Sequence, residues 1–133
     1  MAALIDSSVL IQAERTKVGL DQLLQAHGDE EIAVATITAS ELLHGVHRAS
    51  TPAQRARREA FVESILSVVP VVPFDLLAAR VHAGLWAELA SRGVLVGTHD
   101  LLIGATALAI GYDVATHDRR SFPKIPGLKV LDW

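Results

Sequence analysis

Short runs of consecutive apolar residues alternate along the chain with longer stretches whose apolar positions recur every three or four residues. Short unbroken runs of this kind are typical of buried strands. Pro70 interrupts the third run, so we expect that strand near a sheet edge, because proline cannot donate to a strand ladder. The runs that predict strands are Ala2–Ile5, Ile32–Ala35, Val68–Val72, Tyr112–Thr116 and Leu128–Leu131, the last two of which each contain one charged residue, Asp113 or Lys129.

The longer stretches predict helices, and several carry end signals. Thr38 to Glu41 matches a capping box, Thr51-Pro52 is a typical helix start, and Asp75 is placed to cap a long helix. Leu101–Ile110 is apolar on every side and should be buried all round. Unalternating strands separated by helices predict an α/β fold, a three-layer α/β/α domain with a central, mostly parallel sheet of four to five strands.

Composition limits the class of protein. The chain has 133 residues, of which 50% are hydrophobic and 20% charged, so we expect a single globular domain over residues 1–133. The absence of cysteine excludes a disulfide framework and any thiolate metal site. We expect no signal peptide, because the N-terminus has no basic n-region and Asp6 breaks its apolar run. We expect no membrane span either, since the longest later apolar run, Leu101 to Gly111, is too short to cross a bilayer. We therefore expect a cytoplasmic protein.

The formal net charge of −3 counts against passive nucleic-acid binding, which usually relies on an excess of basic residues. It does not exclude a nuclease whose acidic residues surround bound cations.

Four carboxylates that are far apart in the sequence are predicted at one end of the sheet. Asp6 directly follows the first strand, and Asp118 lies two residues past the fourth. Glu41 is predicted in the first turn of the helix after the second strand, and Asp100 begins the helix that leads into the fourth. Ligands of open parallel sheets bind at the carboxyl ends of the strands. An all-oxygen set at that edge suits Mg²⁺ or Mn²⁺.

Each acid also has a purely structural interpretation. Asp6 could cap the next helix, and Glu41 could complete the capping box. Asp100 could stabilise the N-terminus of its helix by interacting with the helix dipole, and Asp118 could be a turn residue. Their joint placement favours a shared cleft, because gathered carboxylates repel one another unless a cation neutralises them.

The order of four segments adds a resemblance to a known family. The chain resembles the PIN-domain family over essentially its whole length, and most closely the VapC-type toxins of bacterial toxin–antitoxin pairs. The segments that carry this resemblance are LIDSSVLI (Leu4–Ile11), TASELLHGV (Thr38–Val46), THDLLIGATALAIGYDVATHDRRSF (Thr98–Phe122) and IPGLKVLDW (Ile125–Trp133).

The resemblance implies an endoribonuclease that uses Mg²⁺ or Mn²⁺ to activate water and leaves a 5′-phosphate and a 3′-hydroxyl. It implies that the catalytic and metal-binding residues are Asp6, Glu41, Asp100 and Asp118. Ser8 and Thr116 match hydroxyl positions that support the same pocket. It also implies a homodimer and a cognate antitoxin protein. The number of ions, the preferred ion and the RNA target stay open.

Other residues near these segments have weaker signals. Arg119 and Arg120 are candidates for contact with a substrate phosphate, because they adjoin Asp118. His99 and His117 each precede a site acid and are interpreted as rim residues, because hard cations prefer oxygen. The basic run at Arg55, Arg57 and Arg58 is interpreted as a solvated face, and Trp86 as a core or interface residue.

Two other functions compete with this interpretation. A phosphoryl-accepting receiver domain would need adjacent acids after the first strand and a lysine after the last, but two serines follow Asp6 and Lys129 falls inside the predicted closing strand. A catalytically silent binding module that keeps the PIN fold is the remaining alternative. The complete acidic set disfavours it.

Overall fold

The computed structural model describes all 133 residues and contains five strands and six α-helices. All strand pairs are parallel, in the order β3-β2-β1-β4-β5, which confirms the predicted α/β fold. No helix combines the length and apolar character that crossing a membrane requires. The elements are β1 Ala2–Ile5, α1 Ser7–Arg15, α2 Leu20–Ala26, β2 Glu31–Ala35, α3 Thr36–His47, α4 Pro52–Val68, β3 Val71–Val72, α5 Leu76–Ser91, α6 Thr98–Ile110, β4 Asp113–Thr116 and β5 Val130–Asp132.

The sheet separates two apolar cores. Side chains of successive strand residues point to opposite faces, so Leu4 packs into the core under α5 and α6 while Ile5 packs into the core under α1 to α4. A short 3₁₀ turn, Phe122–Lys124, completes the first core with the buried side chain of Phe122. The helices thus form a layer on each face of the sheet, as the strand pattern predicts.

The strand order places a cleft at the carboxyl edge of the sheet. From β1 the chain moves outward to β2 and β3, then returns to the other side of β1 for β4 and β5. The connections therefore leave β1 and β4 in opposite directions, and such a switch point is where open parallel sheets bind ligands. Asp6 follows β1 and Asp118 follows β4, so the topology brings these two acids to the switch point.

The predicted capping box is wrong. Helix α3 begins at Thr36, directly after β2, with Ala35 in the N-cap position and no side-chain cap. Thr38 is therefore inside the helix and fully buried, and its hydroxyl has no hydrogen-bond partner. Glu41 consequently lies in the second turn rather than the first. Because Glu41 has no capping role, this structural explanation for its presence is removed.

Other helix ends agree with the sequence signals. The Thr51 hydroxyl accepts from the Gln54 N–H at the start of α4, and the Asp75 carboxylate accepts from the Ala78 N–H at the start of α5. Gly111, with φ +72°, ends α6 in the left-handed conformation that favours glycine.

Three expectations need correction. The third strand has only two residues, because α4 continues through Val68. The last turn of α6 is not fully buried, since Ile110 is 39% exposed. Trp86 is 63% exposed, which excludes its assignment to the core.

Candidate active site

Asp6 is buried at the carboxyl end of β1 and is held by hydroxyl groups. It occupies the N-cap position of α1, but its side chain does not cap that helix. Its Oδ2 atom instead accepts hydrogen bonds from Ser8 Oγ at 2.7 Å and from Thr116 Oγ1 at 2.9 Å. The capping alternative for Asp6 is therefore wrong. Two donors on a single carboxylate oxygen fix the orientation of the group and leave the other oxygen free of these contacts.

Thr116 links the two strands at the switch point. Its hydroxyl donates to Asp6 and accepts from the backbone N–H of Asp118 at 2.9 Å. Ser8 makes a similar link, because its hydroxyl donates to Asp6 and accepts from the His117 N–H at 3.1 Å. The structure thus brings Ser8 and Thr116 to Asp6, where they also hold the loop after β4.

Glu41 faces Asp6 from helix α3. The Ser7 hydroxyl donates to Glu41 Oε1 at 3.4 Å, and His99 Nδ1 lies 3.6 Å from Oε2. Burial and then repulsion from Asp6 raise the pKa of Glu41, and repulsion from Asp100 adds to the effect. The nearby His99 opposes the shift. These couplings place Glu41 within electrostatic reach of two other predicted site acids.

Asp100 lies in the first turn of α6, which has Gly97 at its N-cap. Burial raises the pKa of Asp100, a hydrogen bond from Ser121 opposes the shift, and repulsion from Asp6 and Asp118 adds to it. A Cβ atom at Gly97 would lie 3.2 Å from Asp100 Oδ2, so glycine gives the carboxylate room. Sequence reasoning missed Ser121, because nothing in its local pattern separates it from an ordinary loop serine.

Asp118 has a different environment. The backbone N–H and the guanidinium of Arg120 both donate to its Oδ1, at 2.9 Å and 3.2 Å. These contacts hold the pKa of Asp118 below its usual range. Arg119 instead pairs with Asp132 on β5. Both arginines lie beside the acids, as the sequence suggests, and both already contact a carboxylate.

The family of the chain can be decided by comparison with known proteins. The family model described as PIN domain matches residues 3–128. The chain belongs to the PIN-domain family. Among individual PIN-domain relatives, the Ribonuclease VapC1 of Rickettsia felis is 35% identical over 131 residues, which is 98% of this chain and 96% of that protein. The tRNA(fMet)-specific endonuclease VapC of Salmonella typhimurium is 36% identical over 103 residues, 77% of this chain and 75% of that protein.

Solved PIN-domain structures give the same assignment. VapBC-5 from Mycobacterium tuberculosis, a member of the VapBC family of toxin–antitoxin systems, matches with a TM-score of 0.79 and 32% identity, covering 99% of this chain and 98% of that chain. DNA-bound VapBC from Salmonella typhimurium matches with a TM-score of 0.86 and 28% identity, covering 100% and 99%. The resemblance to VapC-type PIN domains is therefore confirmed.

The donor set of this PIN domain suits a hard divalent cation. The four acids supply only oxygen, and burial and mutual repulsion raise the pKa of two of them, Glu41 and Asp100, which a cation would relieve. No group of three or more histidine, aspartate or glutamate side chains has the spacing of a preformed metal site. Mg²⁺ does not require one, because it keeps several waters and uses one or two carboxylates plus substrate phosphate.

Proposed function

We propose that this chain is the toxin of a toxin–antitoxin pair and a Mg²⁺- or Mn²⁺-dependent endoribonuclease. The observation that carries the proposal is the gathering of four carboxylates at the switch point of the sheet, where Ser8 and Thr116 hold Asp6 and the charge of Asp6 raises the pKa of both Glu41 and Asp100. Carboxylates that are partly buried beside one another destabilise the folded protein unless a bound cation neutralises their charge. The relatives named as VapC ribonucleases supply the substrate class.

The acids and the hydroxyl groups beside them would have different roles in phosphodiester hydrolysis. Asp6 and Asp100, with Asp118 at the rim, would hold the cation, and Glu41 would hold a second ion or orient the attacking water. A bound divalent cation lowers the pKa of water and stabilises charge on the attacking and leaving oxygens. Ser8 and Thr116 keep Asp6 in position through the hydrogen bonds to its Oδ2. His99, whose Nδ1 lies 3.6 Å from Glu41 Oε2, opposes the rise in the pKa of Glu41 and so favours its ionised form.

The test is cleavage of RNA by purified protein with Mg²⁺ or Mn²⁺. The panel should include a transfer RNA, because one relative is named as a tRNA(fMet)-specific endonuclease, alongside unstructured RNA. Asp100→Asn removes a proposed ligand and keeps the size of the side chain. Asp29→Asn is the matched control, since Asp29 is exposed and precedes β2 at the opposite end of the sheet.

Metal-dependent cleavage should fall at least about 100-fold in Asp100→Asn and stay unchanged in Asp29→Asn, because even indirect partners of metal ligands cost 10–100-fold. Equal cleavage by all three proteins would contradict the assignment. RNA binding without cleavage in any metal would favour the alternative function, a catalytically silent PIN-fold binding module.

The same proposal includes a cognate antitoxin and a homodimer. The related VapBC structures are complexes of toxin–antitoxin systems, which supports the first. Exposed apolar side chains support a protein interface, since Trp86 is 63% and Leu95 85% exposed beside a small hollow between α5 and α6. Sedimentation equilibrium of the chain alone and of Trp86→Glu would separate dimer from monomer.

A further inference from the structure

A groove of about 790 Å³ runs beside the acids, between helices α1, α3 and α4. At one end it is lined by Ser7, Glu41 and His99, which also belong to the candidate active site. The groove is therefore continuous with the place where the scissile phosphate would lie. A polymer held at the acids can extend into it without leaving the surface.

The rest of the groove is unusually basic for this chain. Arg15 from α1, Arg48 from the end of α3 and Arg58 from α4 all line it, although the chain as a whole carries a formal charge of −3. None of these three arginines forms an ion pair with a carboxylate. Glu14 also lines the groove and leaves them unpaired. Three guanidinium groups without carboxylate partners, on three different helices, create a local site for anions.

Arg58 is fixed in place while keeping donors available. One guanidinium nitrogen donates to the Gly45 carbonyl at 2.9 Å, which ties α4 to α3 and holds the side chain in the groove. A guanidinium has five N–H donors, so this contact leaves others for a ligand. Arg15 and Arg48 are exposed and can reach a phosphate from the other two walls.

The lining of the groove also includes apolar side chains and an aromatic ring. Ile11, Leu42 and Phe61 line the groove together with the arginines. A site for isolated phosphate would not need such an apolar surface. Single-stranded nucleic acid does use one, because bases stack on aromatic rings while the backbone follows positive charge.

We propose that this groove binds the RNA strand that flanks the cleaved bond, with Arg15, Arg48 and Arg58 contacting its phosphates. The proposal rests on the proposed ribonuclease function. It adds a binding subsite separate from Arg119 and Arg120, whose guanidinium groups already contact Asp132 and Asp118. The groove therefore supplies positive charge that the rim of the acidic site lacks.

The test measures RNA affinity separately from cleavage. Binding of a labelled single-stranded RNA of ten nucleotides is measured by fluorescence anisotropy with Mg²⁺ in the Asp100→Asn background, with and without Arg15→Gln plus Arg48→Gln. Arg57→Gln is the matched control, because Arg57 is exposed on α4 and does not line the groove. A trinucleotide, too short to fill the groove, is measured in parallel.

The double substitution should weaken binding of the longer RNA about 25-fold at 0.1 M salt, or about fivefold for each lost phosphate contact. It should reduce the slope of log affinity against log salt by about 1.4. The trinucleotide and Arg57→Gln should show no such change. In the protein with Asp100 intact, KM should rise and kcat should stay unchanged, as for a loss of uniform binding.

Equal weakening by Arg57→Gln, or unchanged affinity in the double variant, would overturn the proposal and leave the groove to a protein partner. Either result would leave metal-dependent cleavage by the intact chain unaffected. If the intact chain bound RNA through these arginines but did not cleave it with any metal, that result would instead contradict the proposed function. The experiment can therefore tell failure of the groove proposal from failure of the proposed ribonuclease function.

Discussion

The two sides of the acidic site differ in how well the protein satisfies their charges. Asp6 is only 4% exposed, yet two hydroxyl groups donate to its carboxylate at 2.7 Å and 2.9 Å. Across the cleft, Glu41 has only a long contact with Ser7 and a nearby histidine, and burial and repulsion raise its pKa. The hydrogen bonds of the protein itself stabilise the Asp6 carboxylate, whereas the Glu41 carboxylate is poorly hydrogen-bonded and repelled by its neighbours.

This difference separates the part of the site that the fold satisfies by itself from the part that the proposed cation would satisfy. Parallel pairing of β1 with β4 brings Asp6 beside Thr116, so their hydrogen bond follows from the sheet itself. Glu41 and Asp100 come from helices on opposite faces of the sheet and meet only at its edge. A cation that joins the two sides would relieve the repulsion between them. The following predictions test this division.

Among substitutions that leave the four acids intact, the largest expected effect is on the hydrogen-bonded side. Thr116→Val keeps the shape of the side chain but removes the hydroxyl that donates to Asp6 and accepts from the Asp118 N–H. We expect RNA cleavage to fall about 10–100-fold, as for other indirect partners of metal ligands. The free energy of unfolding should fall by about 1–3 kcal/mol, because buried polar groups lose their partner. Cleavage assays and urea denaturation would measure both effects.

Thr106→Val is the control for that substitution. Thr106 is also a buried threonine, but its hydroxyl donates to the Leu102 carbonyl within its own helix. It should leave cleavage unchanged. If both valine variants cleaved RNA equally well, Thr116 would have no positioning role.

The second effect concerns the repelling side and its response to pH. The folded-state pKa values of Glu41 and Asp100 are raised above their ordinary values of 4.5 and 3.8. The folded protein then binds more protons than the unfolded chain, so stability without metal should fall as pH rises through this range. Asp118, whose pKa is lowered, adds stability that is fully present above pH 3.8 and is lost only as the pH falls below that value, so it does not alter the trend in this range. Thermal melts between pH 4.5 and neutral, with chelator present, would show this fall.

Mg²⁺ should reverse the loss at neutral pH. A ligand at 100 times its dissociation constant stabilises the folded state by about 2.7 kcal/mol. Asp100→Asn should reduce the pH dependence and weaken the Mg²⁺ response together, because Asp100 contributes to both. Stability that rises with pH without metal, or an unchanged Mg²⁺ response in Asp100→Asn, would contradict this account.

The parts of the site that sequence predicted well are those set by topology. Asp6 and Asp118 follow parallel strands, so their shared edge depends only on recognising buried strands and the switch point. The predicted ends of helices and strands were less accurate where the local sequence signals disagreed with the tertiary packing. Thr38 to Glu41 resembles a capping box, but the chain turns into α3 at Thr36 directly from β2, and tertiary packing decides where the helix begins.

Contacts that depend on loop geometry could not be predicted. Ser121 reaches Asp100 across 21 residues, and His117 contacts the Trp133 carbonyl, without any periodic pattern to indicate either. The basic groove is a similar case. Its arginines lie on three helices, and only their packing shows that Arg58 shares a groove with Arg15 and Arg48 while Arg57 does not.

The smallest predicted effect concerns the misassigned helix start, one turn before Glu41. Thr38 is completely buried with an unpartnered hydroxyl, and burying such a group costs roughly 1–3 kcal/mol in proteins. Thr38→Val removes the hydroxyl at nearly constant volume, so the free energy of unfolding should rise by about 1 kcal/mol. Thr106→Val, which loses a satisfied hydroxyl, should show no such gain in the same urea titration. A destabilised Thr38→Val variant would mean that this hydroxyl has a partner, and the repelling side would then be better satisfied than its contacts indicate.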